Sequence, residues 1–91
     1  MVNCLDDANL HKRLKRIEGQ IAAIDRMIQD ENESCEKVLM QVNASKSALN
    51  KVGKIMVERH INHCIKNAIE KGDSKEAIED FSNVLEHYSR I

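Results

Sequence analysis

The feature that most constrains this chain is the stretch from Cys35 to Cys64, which has the pattern of one long helix. It contains no proline and only one glycine. Cys35 stands at its start, while His60 and Cys64 stand near its end, four residues apart and therefore on the same face. Because two thiols and an imidazole are good ligands for a soft metal ion, the stretch also predicts a metal site.

These three side chains cannot meet within a single copy of the helix. Cys35 and His60 are 25 residues apart, which corresponds to roughly 37 Å along a continuous helix. A shared site therefore needs a second, antiparallel copy whose Cys35 approaches His60 and Cys64 of the first. Such a dimer would hold two equivalent sites, with its two-fold axis near Ala48 and Leu49.

The rest of the chain predicts an all-α, three-helix protomer built around this long central helix. Its 91 residues include no Pro or Trp and only one Phe and one Tyr, so the core must be aliphatic. The polar segment 30–34 separates the first two helices, and Gly72 ends the second. We expect a single domain over residues 1–91. The predicted helix caps are Asp6 or Asp7, Ser34, and Asp73 with Glu76 in a capping box.

The apolar residues of the first helix recur with alternating spacings of four and three, which is typical of a heptad seam. We expect this seam to be a core face packed on a neighbouring helix. The first and third helices are too short to cover the central one, so a stable monomer is not expected. Two helical hairpins would instead form an antiparallel four-helix-bundle dimer. The seam residues are Leu10, Leu14, Ile17, Ile21, Ile24 and Ile28.

Charge is unevenly distributed, although the formal net charge is only −1. Residues 11–16, HKRLKR, carry four formal positive charges and no acid. Several copies of this run on one face of an oligomer could neutralise DNA phosphates. The sequence contains no helix-turn-helix signature, zinc finger or glycine-rich phosphate loop. It also has no Ser/His/Asp arrangement, so we do not expect an enzyme.

The cysteines are expected to act as thiols or metal ligands. Nothing resembles a signal peptide, and no apolar run approaches the roughly 18 residues of a membrane span, so we expect a cytoplasmic protein without a membrane partner. Cu(I) accepts low coordination and suits two thiolates with one imidazole. Zn(II) would need a fourth ligand, which Cys4 or His63 could supply. A helical metal-binding or scaffold protein without a DNA role is the alternative from another class.

Several segments resemble the CsoR/RcnR family of bacterial metal-sensing transcriptional repressors. They are RLKRIEGQIAAIDRMI and QVNASKSALNKV, together with the spacing of Cys35, His60 and Cys64. The resemblance implies all-helical dimers that pair into homotetramers. It also implies that the metal-free protein binds double-stranded operator DNA and that an effector at the Cys/His site lowers this affinity.

The resemblance also implies roles for individual residues. The trio Cys35, His60 and Cys64 matches the copper sensors, but a nickel-sensing subclass keeps it too, so Ni(II) is an alternative effector. A sensor of reactive sulfur or aldehyde is a further alternative, with the two cysteines as nucleophile and resolving thiol. The implied DNA-binding residues are Arg13, Lys15, Arg16 and Lys51. In copper sensors, further residues surround the metal-binding histidine. At the corresponding positions this chain has Ser34 and Asp80, and Glu79 is adjacent to Asp80.

Overall fold

The computed structural model describes residues 5–91, which are helical nearly throughout and contain no strand. The predicted all-α class is therefore confirmed, whereas Cys4 lies outside the described residues. The segments in chain order are α1 (Ala8–Gln29), α2 (Cys35–Arg59), a π-helical segment (His60–Ile65), α3 (Lys66–Glu70) and α4 (Ser74–Tyr88).

The predicted central helix is helical from residue 35 to residue 70, but its α geometry is interrupted. Between His60 and Ile65 the turn widens to π geometry, and the Lys66 N–H donates to the carbonyl of Ile61, five residues earlier. Such segments are rare in proteins, but those that occur are often located at functional sites. The path ends as predicted at Gly72, whose φ of 87° lies in the left-handed region that favours glycine.

Side chains shape the turn before α2. The Asn32 N–H donates to Oδ1 of Asp30 at 2.9 Å, and the Lys37 N–H donates to Oγ of Ser34 at 3.2 Å. Ser34 is therefore the N-cap of α2, as predicted. The capping box predicted for α4 is wrong, because Asp73 occupies the N-cap position without a side-chain capping hydrogen bond.

Residues 8–52 form one compact unit, made of α1 and most of α2. Two of the six seam residues of α1 are buried in it, and Ile24 is half-buried. Leu10 and Ile17 are each 4% exposed, whereas Ile21 is 56% exposed. The half-buried Arg13 and Gln20 show that the covered face of α1 is rotated away from the centre of the seam. The single chain therefore covers only part of the predicted core face, and the rest of the seam is exposed. The seam residues left exposed are Leu14, Ile21 and Ile28.

The second compact unit contains residues 5–7 and 53–91. Here α3 and the π-helical segment pack against α4, and Ile65 and Ala77 are buried at 8% and 2% exposure. A Cβ atom added to Gly53 would lie 3.0 Å from Cδ1 of Ile91, so this glycine allows the close approach. In the described part of the chain, no helix is both long and apolar enough to cross a bilayer.

Candidate metal centre

His60 and Cys64 both lie in the π-helical segment, at its first and fifth positions. Both residues are partly buried. The segment packs against α4, which supplies acidic side chains next to both positions. The imidazole and the thiol are thus held on a single helical turn that is fixed by a neighbouring helix.

The imidazole of His60 is oriented by Asp80 of α4. Its Nε2 atom lies 2.6 Å from Oδ2 of Asp80, and the two side chains are 21% and 46% exposed. A neutral histidine that donates from Nε2 to a carboxylate presents a lone pair on Nδ1, the nitrogen that would face a metal. Asp80 therefore occupies the place that the sequence indicated for a partner of this histidine, while the adjacent Glu79 is exposed.

Cys35 is the first residue of α2, and His60 follows the last residue of that helix. The whole of α2 therefore separates the two, as the spacing predicted. Cys35 is an exposed thiol, and Ser34 before it caps the helix. Within residues 5–91 of one copy, no group of three His, Cys, Asp or Glu side chains is arranged to hold a metal ion. His63, a possible fourth ligand, is exposed.

Two grooves reach the π-helical segment within the second unit. A polar groove of about 470 Å³ opens at Cys64 and is lined by carboxylates of α4, including Glu76 and Asp80. An apolar groove of about 420 Å³ opens at His60 and is lined by Met56 and Tyr88 among others. Because the acids that line the polar groove outnumber its one Lys, Lys71, this groove favours the approach of a cation to the thiol.

The four basic residues that are expected to bind DNA all belong to the first unit, but their surroundings differ. Arg16 and Lys51 are exposed. Lys15 is exposed and lies 3.4 Å from a carboxylate oxygen of Glu18. Arg13 is partly buried, and its Nε atom is buried without a hydrogen-bond partner. Arg16 and Lys51 are thus the residues most open to a phosphate.

The sequence did not indicate an ion pair beside this centre. Nη1 of Arg59, the residue before His60, lies 2.8 Å from Oδ2 of Asp7. The sequence pattern indicates Asp7 only as a possible helix cap. No local signal could have revealed the pairing, because the two residues are far apart along the chain.

Comparison with known proteins points to one kind of regulator. The profile of a family described as metal-sensitive transcriptional repressors matches residues 6–87. The copper-sensing transcriptional repressor CsoR of Bacillus subtilis is 35% identical over 78 residues, which cover 86% of this chain and 76% of that protein. The crystal structure of CsoR with Cu(I) from Geobacillus thermodenitrificans is similar with a TM-score of 0.81 and 37% identity, covering 89% of this chain and 83% of that one. The nickel-responsive regulator InrS is similar with a TM-score of 0.81 and 32% identity, covering 97% and 99%.

Proposed function

Because this chain belongs to the family of metal-sensitive transcriptional repressors, we propose that Cu(I) is the metal that releases it from operator DNA. The observation that carries the choice of metal is the donor set. Cys64 shares one helical segment with His60, whose Nε2 is held by Asp80, and Cys35 adds a second thiol. Two soft sulfur donors and one imidazole fit Cu(I). The similarity to a Cu(I)-bound CsoR supports the same metal.

The ligands come from two protomers in this proposal. Cys35 of one protomer joins His60 and Cys64 of an antiparallel partner, because α2 keeps Cys35 and His60 apart within one copy. The exposed apolar row Leu14, Ile21 and Ile28, together with Leu49 of α2, supports the association. A four-helix-bundle dimer would cover this row, and two dimers would pair into a tetramer.

Repression follows from the basic residues of the first unit. Arg13, Lys15, Arg16 and Lys51 of several protomers would neutralise phosphates of the operator in the cytoplasm. Bound Cu(I) favours the arrangement of protomers with lower DNA affinity, and by linkage it weakens DNA binding by the same coupling free energy. Couplings of about 1–3 kcal/mol change DNA affinity roughly 5- to 150-fold. The role is regulatory, and we propose no catalysis.

Two observations favour other effectors of the same repressor. The similarity to InrS supports Ni(II), for which His63 or Cys4 could complete a larger ligand set. The exposure of Cys35 supports a reactive sulfur species or an aldehyde, because an accessible thiolate can attack a polysulfide sulfur, displacing a shorter polysulfide, or add to an aldehyde carbonyl carbon. Membership of a transcriptional repressor family argues against a scaffold without a DNA role.

The test is an anaerobic titration of the reduced, metal-free protein with Cu(I), in the presence of labelled upstream DNA and a competing chelator. We expect one tightly bound copper per protomer and a loss of DNA affinity of at least about fivefold. Tight copper binding without a change in DNA affinity would remove copper as the inducer. Ni(II) and polysulfide, titrated in parallel, identify the inducer in that case.

A further inference from the structure

The ion pair between Asp7 and Arg59 stands at two junctions of the chain. Arg59 is the last residue of α2 and is bonded to His60, the first residue of the π-helical segment. Asp7 is bonded to Ala8, the first residue of α1, which carries the basic run. One contact thus joins the residue before the candidate metal centre to the residue before the candidate DNA-binding helix.

The burial of this pair distinguishes it from an arginine pair on the surface of α4 that is also 2.8 Å long. Arg59 and Asp7 are 29% and 22% exposed, whereas Arg90 and Glu86, four residues apart on α4, are 67% and 60% exposed. Charges that are partly removed from water are screened less, so their interaction falls more steeply when they separate. The Asp7–Arg59 pair therefore responds more strongly to a small displacement than the surface pair.

The π-helical segment supplies a reason for such a displacement. Its wider turn departs from the hydrogen-bond pattern of the helices on either side, and Arg59 is its N-cap. His60 is also tied to α4 through Asp80. A metal bound by both His60 and Cys64 would constrain the geometry of this turn, and Arg59 is one peptide bond away from His60.

We infer that Asp7 and Arg59 are positioning residues that couple the metal centre to the DNA-binding helix. This inference rests on the proposed function, since it concerns the same metal and the same DNA. A rearrangement of the π-helical segment on metal binding moves the Arg59 guanidinium. The Asp7 carboxylate then either moves with the guanidinium or loses the ion pair. Either change alters the position or the mobility of the first residues of α1. Neither residue needs to touch metal or DNA.

The test is a double-mutant cycle of Asp7→Asn, Arg59→Gln and the double variant, with Glu86→Gln as the matched control. DNA affinity is measured with and without Cu(I), together with copper affinity and the thermal midpoint of the metal-free protein. For Asp7→Asn we expect metal-free DNA affinity within about threefold of wild type and a metal-induced loss of affinity smaller by about 2- to 30-fold. The double variant should lose no more coupling than either single variant.

Each outcome decides the inference. If wild type responds to copper and Asp7→Asn responds equally, the pair does not carry coupling, and a lowered thermal midpoint alone would assign it a structural role. An equal loss of coupling in Glu86→Gln would also overturn the inference, because removal of any ion pair would then suffice. If the wild-type protein keeps its DNA affinity with copper bound, the proposed function is wrong. This result differs from failure of the inference alone, in which the wild-type protein does respond to copper.

Discussion

Nε2 of His60 lies 2.6 Å from Oδ2 of Asp80, across the contact between the π-helical segment and α4. The two residues are 20 positions apart, so only the packing of α4 brings them together. The contact fixes the plane of the imidazole and the nitrogen that carries the proton. The contact therefore orients the His60 imidazole as a candidate metal ligand.

The first prediction concerns this orientation. Asp80→Asn should lower Cu(I) affinity by about 10- to 100-fold, because an amide is a weaker acceptor and fixes the imidazole less well. Competition with a chelator of known affinity measures the change. Glu86→Gln removes an exposed acid from the same helix and serves as control. Equal losses in both variants would point to a general charge effect and against the His60 contact.

The second prediction tests whether the site crosses protomers. Cys35→Ala and Cys64→Ala should each abolish copper-induced release of DNA, and a full response in either would contradict the site. Co-refolding Cys35→Ala with His60→Ala protomers should restore one intact site in each mixed dimer. Random pairing then gives tight binding of about one copper per four protomers. A site built within one chain would give none, and mass spectrometry of the mixture distinguishes the two results.

The third prediction concerns the exposed apolar surface. Leu49 is 50% exposed in the single chain and lies near the expected two-fold axis. Leu49→Glu should raise the dimer dissociation constant by more than about 100-fold, because it removes apolar area and buries like charges at the axis. Sedimentation velocity measures the association. The nearby exposed Ser47→Glu adds the same charge and should leave the dimer intact if Leu49 is at the contact.

The fourth prediction concerns DNA. Arg16→Ala and Lys51→Ala should weaken DNA binding by the metal-free protein and reduce the slope of log K against log salt by about 0.9 for each phosphate that the variant no longer neutralises. Lys15→Ala should change the slope less, because that ammonium already lies 3.4 Å from Glu18. Fluorescence anisotropy at several salt concentrations gives the slopes. A larger effect for Lys15 than for Arg16 would contradict this ranking.

The fifth prediction is that two glycine substitutions change stability in opposite directions. Gly72 has a φ of 87°, so Gly72→Ala should destabilise the protein by about 1–2 kcal/mol. Gly19 lies within α1 with open space around it, and Gly19→Ala should stabilise by about 0.5–1 kcal/mol through helix propensity. Urea unfolding measures both. A destabilising Gly19→Ala would indicate that another chain approaches this face of α1.

Much of the candidate centre could be predicted because it depends on spacing along one element. The separation of Cys35 from His60 follows from helix rise, and Ser34 caps α2 through a bond to a residue three positions away. The capping box predicted at Asp73 from the same kind of local spacing does not form. The sequence pattern allows a side-chain capping hydrogen bond but does not require one.

By itself, the sequence determined the helical class and the placement of Cys35 and His60 at opposite ends of one helix, and it predicts that a shared site would need a partner protomer. These follow from local propensity and from the length of a helix. Tertiary structure alone decided that Asp80 meets His60, that Arg59 meets Asp7, and that the seam of α1 is only half covered. The physical reason is that each of these depends on how distant segments approach and rotate, which no spacing within a segment specifies.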